Sequence, residues 1–230
     1  MAAIRPASCY AAAAPVGITD AHVAELEAKG VVVIDGLFPP AAIEELRAAL
    51  DGAHYRPTLQ PETTRAHRVR WVTENDAGAG DMVSALKGLG HRFASAVGCA
   101  SVDAPARCMV ARYDSGGYRA HLDHDPPVDD DLYWLWKISR EQSGRVLTSI
   151  LYVADADFDA AVHGGRLRLF LGCAAGDAAG ATAAEIRDVD PVPGRLVVFS
   201  SRRIPHSVLE TSRRRLALSC WHLEPEDSDA

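Results

Sequence analysis

The chain has 230 residues, 48% of them hydrophobic and 24% charged, with 31 acidic and 24 basic side chains and a formal charge of -7. That length and balance fit one soluble globular domain with a single sizeable core and exclude a disordered or fibrous polypeptide. The acidic excess argues against broad phosphate binding, no apolar run approaches a membrane span, and five cysteines without a framework spacing place the chain in a reducing, cytoplasmic setting.

Residues 1–16 are alanine-rich and free of acid but lack the long apolar core of a secretory signal, so they read as a frayed terminus. One domain is expected over 17–223, followed by an acidic tail over 224–230. Thr19 or Asp20 can cap a helix running to Lys29, with Gly30 placed to stop it. The β-branched run Val31–Asp35 predicts a short strand, and Pro39-Pro40 opens a second helix with Ile43, Leu46 and Leu50 on one side. Between Tyr55 and Glu74 the chain is polar and basic; alternation over Arg68–Val72 predicts a strand or hairpin arm, which as a solvated edge would deter aggregation. Met82, Leu86, Leu89, Phe93 and Val97 form the core stripe of a third helix opened by Asp81 and ended by Gly98, although Gly88 and Gly90 weaken it.

From there to the end, short strands and turns dominate. This distribution predicts two packed sheets, a jelly roll with flanking helices. The stretch between Asp125 and Gly144 carries Tyr133, Trp134 and Trp136, too much aromatic area for a free loop, so it either covers the mouth of a site as a lid or packs onto its own sheet. Small residues over Gly172–Ala184 mark a turn.

The chemistry concentrates in Tyr113–Asp123 and in the segment Pro193–Trp221. On an extended strand, His121 and Asp123 leave the same face. His206, at the end of the apolar run after Pro193-Gly194, would complete a set of two histidines and one carboxylate, a triad that suits Fe(II) and leaves coordination positions open. In the next strand Arg215, Ala217, Ser219 and Trp221 share one face, and Leu216, Leu218 and Cys220 the other. An arginine turned into a pocket is costly without an anion, and its planar fork matches a carboxylate, so Arg215 asks for an acidic cofactor beside the metal. Of the remaining histidines, His124 and His222 alternate away from the site, His163 precedes a Gly-Gly turn, and His22, His54, His67 and His91 lie outside the expected sheets.

Four segments in order, Met109–Asp123, Arg145–Tyr152, Gly164–Phe170 and Ser200–Trp221, resemble the 2-oxoglutarate- and Fe(II)-dependent prolyl hydroxylases, in particular those acting on hypoxia-inducible factor and their microbial relatives. The resemblance implies a double-stranded β-helix with a strand-and-helix buttress behind it, with the basic stretch 55–74 as a mobile arm over the substrate. It implies that Arg215 and Tyr152 hold the distal carboxylate of 2-oxoglutarate, with Tyr113 and Thr148 lining the same pocket. Arg145, Tyr118 and Trp221 would receive the target proline. O2 would be the co-substrate and ascorbate the reductant, and the reaction would release succinate and CO2 while hydroxylating an unactivated C–H bond. The Asp114–Gly117 loop is shorter than the family's, and a stretch is inserted after Asp123. Other readings stay open: hydroxylation of a free amino acid or other small metabolite, a non-catalytic jelly-roll binding module, and a cupin-type isomerase or dioxygenase that uses no oxo-acid.

Overall fold

The computed structural model describes residues 17–57, 67–124 and 144–225. The aromatic insertion at Tyr133–Trp136, the N-terminal 16 residues, residues 58–66 of the basic arm and nearly all of the acidic tail lie outside the described residues.

Helix α1 (Asp20–Lys29) starts where Thr19 and His22 form a reciprocal capping box and stops at Gly30, whose φ of 76° puts it in the left-handed region. Strand β1 (Val31–Ile34) follows, then α2 (Pro40–Asp51), which buries Ile43, Leu46 and Leu50 as the periodicity predicts. Next come β2 (Arg56–Pro57), β3 (His67–Val72) and α3 (Gly80–Phe93). The third helix is shorter than expected: it gives way to a 3-10 turn over Ser95–Val97 before Gly98, so Val97 packs on the core from that turn. The rest is β4 (Cys108–Tyr113), β5 (Gly116–His121), β6 (Arg145–Tyr152), a one-turn helix α4 (Ala160–His163), β7 (Leu167–Leu171), β8 (Glu185–Val189), β9 (Leu196–Ser200), β10 (His206–Thr211) and β11 (Arg215–Leu223).

Two antiparallel sheets form the jelly roll. The larger has the order β1-β9-β6-β11-β4-β3-β2 and the smaller β5-β10-β7-β8. Strand β1 does not stand behind the sheet with the helices as a buttress; it is hydrogen-bonded into it, Val31 opposite Phe199 and Ile34 opposite Leu196. Likewise the described part of the basic stretch over 67–72 is part of the sheet, because β3 pairs along its whole length with β4. Its backbone donors and acceptors are satisfied there, which a free arm could not offer.

The larger sheet has two unlike faces. Its outer face carries Val72, Val110, Leu147, Leu151, Leu216, Leu218 and Cys220, packed under the helices with Leu26, Leu46, Leu86 and Phe93. Its inner face carries Val31, Ile150, Tyr152, Val197, Phe199 and Ala217 against Leu167 and Leu169 of the smaller sheet. His222 belongs to the outer face and is fully buried, with neither ring nitrogen hydrogen-bonded. Gly90 of α3 makes room for it: a Cβ on that residue would come within 2.3 Å of His222 Nδ1. This contact accounts for one of the two glycines inside the helix; nothing comparable crowds Gly88.

Gly90→Ala should therefore cost about 1–3 kcal/mol in urea unfolding through overpacking, and shrinking the opposing side chain with His222→Ala should recover part of the loss. Burial, reinforced by His91, pushes the His222 pKa from 6.5 down to about 4. The unfolded chain therefore holds the extra proton between those values, and the stability that neutral His222 contributes is complete above about pH 6.5 and lost as pH falls toward 4. On that account stability should drop by about 3 kcal/mol across this window, and His222→Leu should flatten the slope.

Candidate functional site

The cleft follows from which side chains the register places on the inner face. Across β11, β4 and β3, Arg215, Tyr113 and His67 stand in one row. The next row is Tyr152, Ala217, Ala111 and Val69, and the one after it Ile150, Ser219, Met109 and Trp71. A further row brings Phe199, Thr148 and Trp221 together. Large side chains thus stand at both ends while Ala111, Ala217 and Ser219 keep the middle low, and a cleft of about 980 Å3 opens between the sheets.

At its floor His121, Asp123 and His206 converge, with potential ligand atoms all within 4.8 Å of one another. Asp123 Oδ1 lies 3.6 Å from His121 Nε2, and Oδ2 lies 3.7 Å from His206 Nε2. His206 does not end the apolar strand β9; a turn intervenes and it opens β10, directly opposite His121. Nδ1 of His121 faces the Arg119 carbonyl at 3.0 Å, and Nδ1 of His206 the Ile204 carbonyl at 3.3 Å. Those bonds place each N–H on Nδ1, so both Nε2 lone pairs point at the shared space. Burial raises the Asp123 pKa, but His206, His121 and Arg145 outweigh it and hold the carboxyl below its ordinary value. Burial also pushes His206 down to about 4 against the pull of Asp123, which keeps the imidazole neutral, as a metal ligand must be.

Asp123 is further fixed by a polar relay. Thr148 Oγ1 donates to Asp123 Oδ2 at 2.8 Å and in turn lies 2.8 Å from Ser201 Oγ, which is left to act as donor to it. Arg145 Nη1 donates to the Asp123 backbone carbonyl at 3.3 Å, while its guanidinium lies 4.2 Å from the centre of the Trp221 ring.

Beyond the triad, Arg215 is 2% exposed and its Nε and Nη1 have no hydrogen-bond partner. Its guanidinium sits between two phenol rings, 5.2 Å from Tyr113 and 5.1 Å from Tyr152. The buried Tyr152 hydroxyl also has no hydrogen-bond partner of good geometry; burial raises its pKa, and Arg215 opposes the rise. Gly165, with φ of 75°, lets the side chain pass, since a Cβ there would come within 3.0 Å of Arg215 Cδ. The turn that leads into Arg215 is held from outside. Asp155 takes contacts from Arg47 at 3.2 Å, Arg214 at 3.4 Å and Arg213 at 3.5 Å, and Arg214 also binds Asp51. A buried guanidinium with open donors costs several kcal/mol unless an anion fills them, so this end of the cleft is built for a carboxylate.

A model of the 2OG-Fe(II) oxygenase superfamily matches residues 108–223, half of the chain and the part that holds the triad and Arg215. The chain belongs to that superfamily. Among curated relatives, the hypoxia-inducible factor prolyl hydroxylase of Caenorhabditis elegans is 27% identical over 84% of the chain, and the human prolyl hydroxylase EGLN3 is 30% identical over 71%. The chain spans 24% of the first relative's length and 60% of the second's. A crystal structure of a Pseudomonas putida prolyl-4-hydroxylase superposes with a TM-score of 0.67 at 27% identity, covering 90% of this chain and 98% of that one. A Trichoplax adhaerens prolyl hydroxylase shares the fold at a TM-score of 0.64 and 18% identity. The superfamily's Fe(II) and 2-oxoglutarate fit the residues present: two imidazoles and a carboxylate for the metal, and the open Arg215 donors for the oxo-acid.

Of the residues expected from sequence, Tyr113 and Tyr152 flank Arg215, and Arg145, Tyr118 and Trp221 line the cleft near the metal triad. Thr148 is on the expected face, but its hydroxyl is engaged by Asp123. Three cleft residues of the oxygenase escaped sequence reasoning. His67 lies on β3, inside the sheet, its ring stacked 5.1 Å from Tyr113; Trp71 stands 6.1 Å from Trp221; and Arg107 lies 4.1 Å over Trp71. For the first two the signal was available: period-two alternation puts His67, Val69 and Trp71 on one face.

Thr148→Val keeps the shape and removes the hydroxyl that orients Asp123. It should weaken Fe(II) or Mn(II) binding by about 10–100-fold in calorimetric titration without loss of the fold.

Proposed function

We propose that this protein is a 2-oxoglutarate- and Fe(II)-dependent hydroxylase of a prolyl residue in a peptide or protein. The observation that carries the reading is the pairing of an ordered His-Asp-His set with a buried arginine whose donors are unfilled, in one open cleft. The Pseudomonas putida prolyl-4-hydroxylase, alike over nearly its whole length, supports the choice of a prolyl substrate.

When bound, iron and 2-oxoglutarate would let O2 act as the oxidant, one oxygen atom going to the substrate C–H bond and the other to succinate, with release of CO2. The chain's own residues do the positioning. His121, Asp123 and His206 hold the metal on one side and leave the cleft side open. Arg215, with the Tyr152 hydroxyl beside it, grips the distal carboxylate of the oxo-acid, and the Tyr113 ring closes that end against water. Thr148 acts through Asp123 rather than on the oxo-acid. Tyr118, 4.3 Å from the His121 ring, and Trp221 with Arg145 form the walls against which the target residue lies. No side chain in this arrangement needs to serve as a general base. Ascorbate is the reductant of choice for keeping the metal ferrous. A reducing, cytoplasmic setting agrees with four free cysteines among the described residues, Cys108 and Cys220 both buried.

Incubation with Fe(II), ascorbate and 2-oxoglutarate, followed by mass spectrometry of proline-containing peptides, should show a gain of one oxygen atom matched by succinate. His121→Ala should abolish both products. Arg215→Ala should raise the KM for 2-oxoglutarate by about 100-fold or more, in keeping with loss of a buried charge partner. An unchanged KM would remove Arg215 from the oxo-acid site.

A further inference from the structure

Among the described residues, the charge of the cleft is opposite to that of the chain. The whole protein carries -7, yet the described lining of the cleft holds six arginines and one carboxylate, that of Asp123. Three of those arginines are already committed. Arg70 pairs with Asp76 at 2.8 Å, Arg145 is bonded to the Asp123 carbonyl, and Arg215 faces the oxo-acid end. Arg56, Arg107 and Arg119 form no ion pair with a carboxylate among the described residues, although acidic side chains outnumber basic ones over the chain.

They also belong to three different parts of the fold. Arg56 lies on β2 at the sheet edge, Arg107 just before β4, and Arg119 on β5 of the opposite sheet. Arg107 is held in place. Its guanidinium lies 4.1 Å from the centre of the Trp71 ring, Trp71 is 6.1 Å from Trp221, and Trp221 is 4.2 Å from the Arg145 guanidinium. Arg107, Trp71, Trp221 and Arg145 thus form one stack from the cleft mouth to the backbone of a metal ligand. Stacking of this kind fixes the plane of a guanidinium while leaving its N–H edges free to donate to a carboxylate.

We propose that this cleft selects acidic peptide segments, with Arg107 and Arg119 as specificity residues that bind carboxylates flanking the hydroxylated position. The inference rests on the peptide-hydroxylase reading and deepens it. Cations spaced around both sheets suit a chain bearing several carboxylates better than one small anion. An overall charge of -7 disfavours nucleic acid, which needs a basic face beyond a single cleft.

Binding tests this separately from chemistry. Three fluorescein-labelled peptides with one central proline and acidic, neutral or basic flanks are titrated by anisotropy into the full protein loaded with Mn(II) and 2-oxoglutarate without oxygen. The acidic peptide should bind at least tenfold more tightly than the basic one at 50 mM salt, and the gap should narrow at 300 mM. Arg107→Glu combined with Arg119→Glu should invert the order, and lysine at both positions should restore it. Equal affinities, or an order that survives the double reversal, would overturn the inference. Displacement of the acidic peptide by an equimolar free tricarboxylate would overturn its peptide part. Mass spectrometry of the same peptides with Fe(II) and oxygen judges the hydroxylase reading on its own, since binding order does not depend on product.

Discussion

A β-strand gives its side chains to two faces in turn, and β11 uses this to separate two incompatible environments. Leu216, Leu218 and Cys220 go to a dry core beneath three helices, while Arg215, Ala217, Ser219 and Trp221 go to the cleft. A slip of one residue would drive a guanidinium into the helix-packed core and open the cleft onto leucine. The register of β11 with β4 and β6 is therefore the constraint from which the site follows. It aligns Arg215 with Tyr113, Ala217 with Tyr152 and Trp221 with Thr148. Residues far apart in the chain, such as Tyr113 and Arg215 or Thr148 and Trp221, become neighbours through that one pairing pattern.

The same pattern explains how a packed fold holds an open space. Cores close because large side chains from facing sheets interdigitate. Here the middle rows of the inner face carry Ala111, Ala217 and Ser219, too small to reach across, and the large residues stand at the ends. One end supplies a guanidinium between two phenols, the other an indole pair, and the metal ligands enter from the smaller sheet through β5 and β10. The proposed cofactor end, metal site and substrate wall are thus set by position in a grid rather than by loops of arbitrary shape.

Much of this was legible in the sequence because the signals were local. Helix α1 announced both its ends through Thr19 and Gly30, α2 through Pro40 and its buried stripe, and β11 through strict alternation. The triad was legible because His121 and Asp123 lie close together and His206 falls in a recognisable segment. What escaped depended on distant partners. Whether Arg68–Val72 was a free arm or a sheet strand is settled by β4, and nothing within the segment encodes that pairing. Thr148 belongs to the right face in either account, but which acceptor its hydroxyl meets depends on where the chain after His121 places Asp123. Gly90 looked like a weak point in a helix until His222, more than a hundred residues away, supplied the reason for it.

The electrostatics of the cleft connect these levels. Asp123 can stay ionised while buried because His206, His121 and Arg145 outweigh the cost of burial, and among the described residues it is the single carboxylate lining the cleft. Elsewhere the acids sit outside the cleft: Asp155 gathers three arginines behind the turn that carries Arg215, and Asp76 takes Arg70. Each of these acids neutralises a cation, whereas Arg56, Arg107 and Arg119 of the cleft pair with no carboxylate among the described residues. Among the described residues, a protein with a surplus of carboxylates thus keeps all but Asp123 from the lining of the cleft. Placement of charge relative to the sheet, rather than net charge, is what makes an acidic chain a receptor for anions.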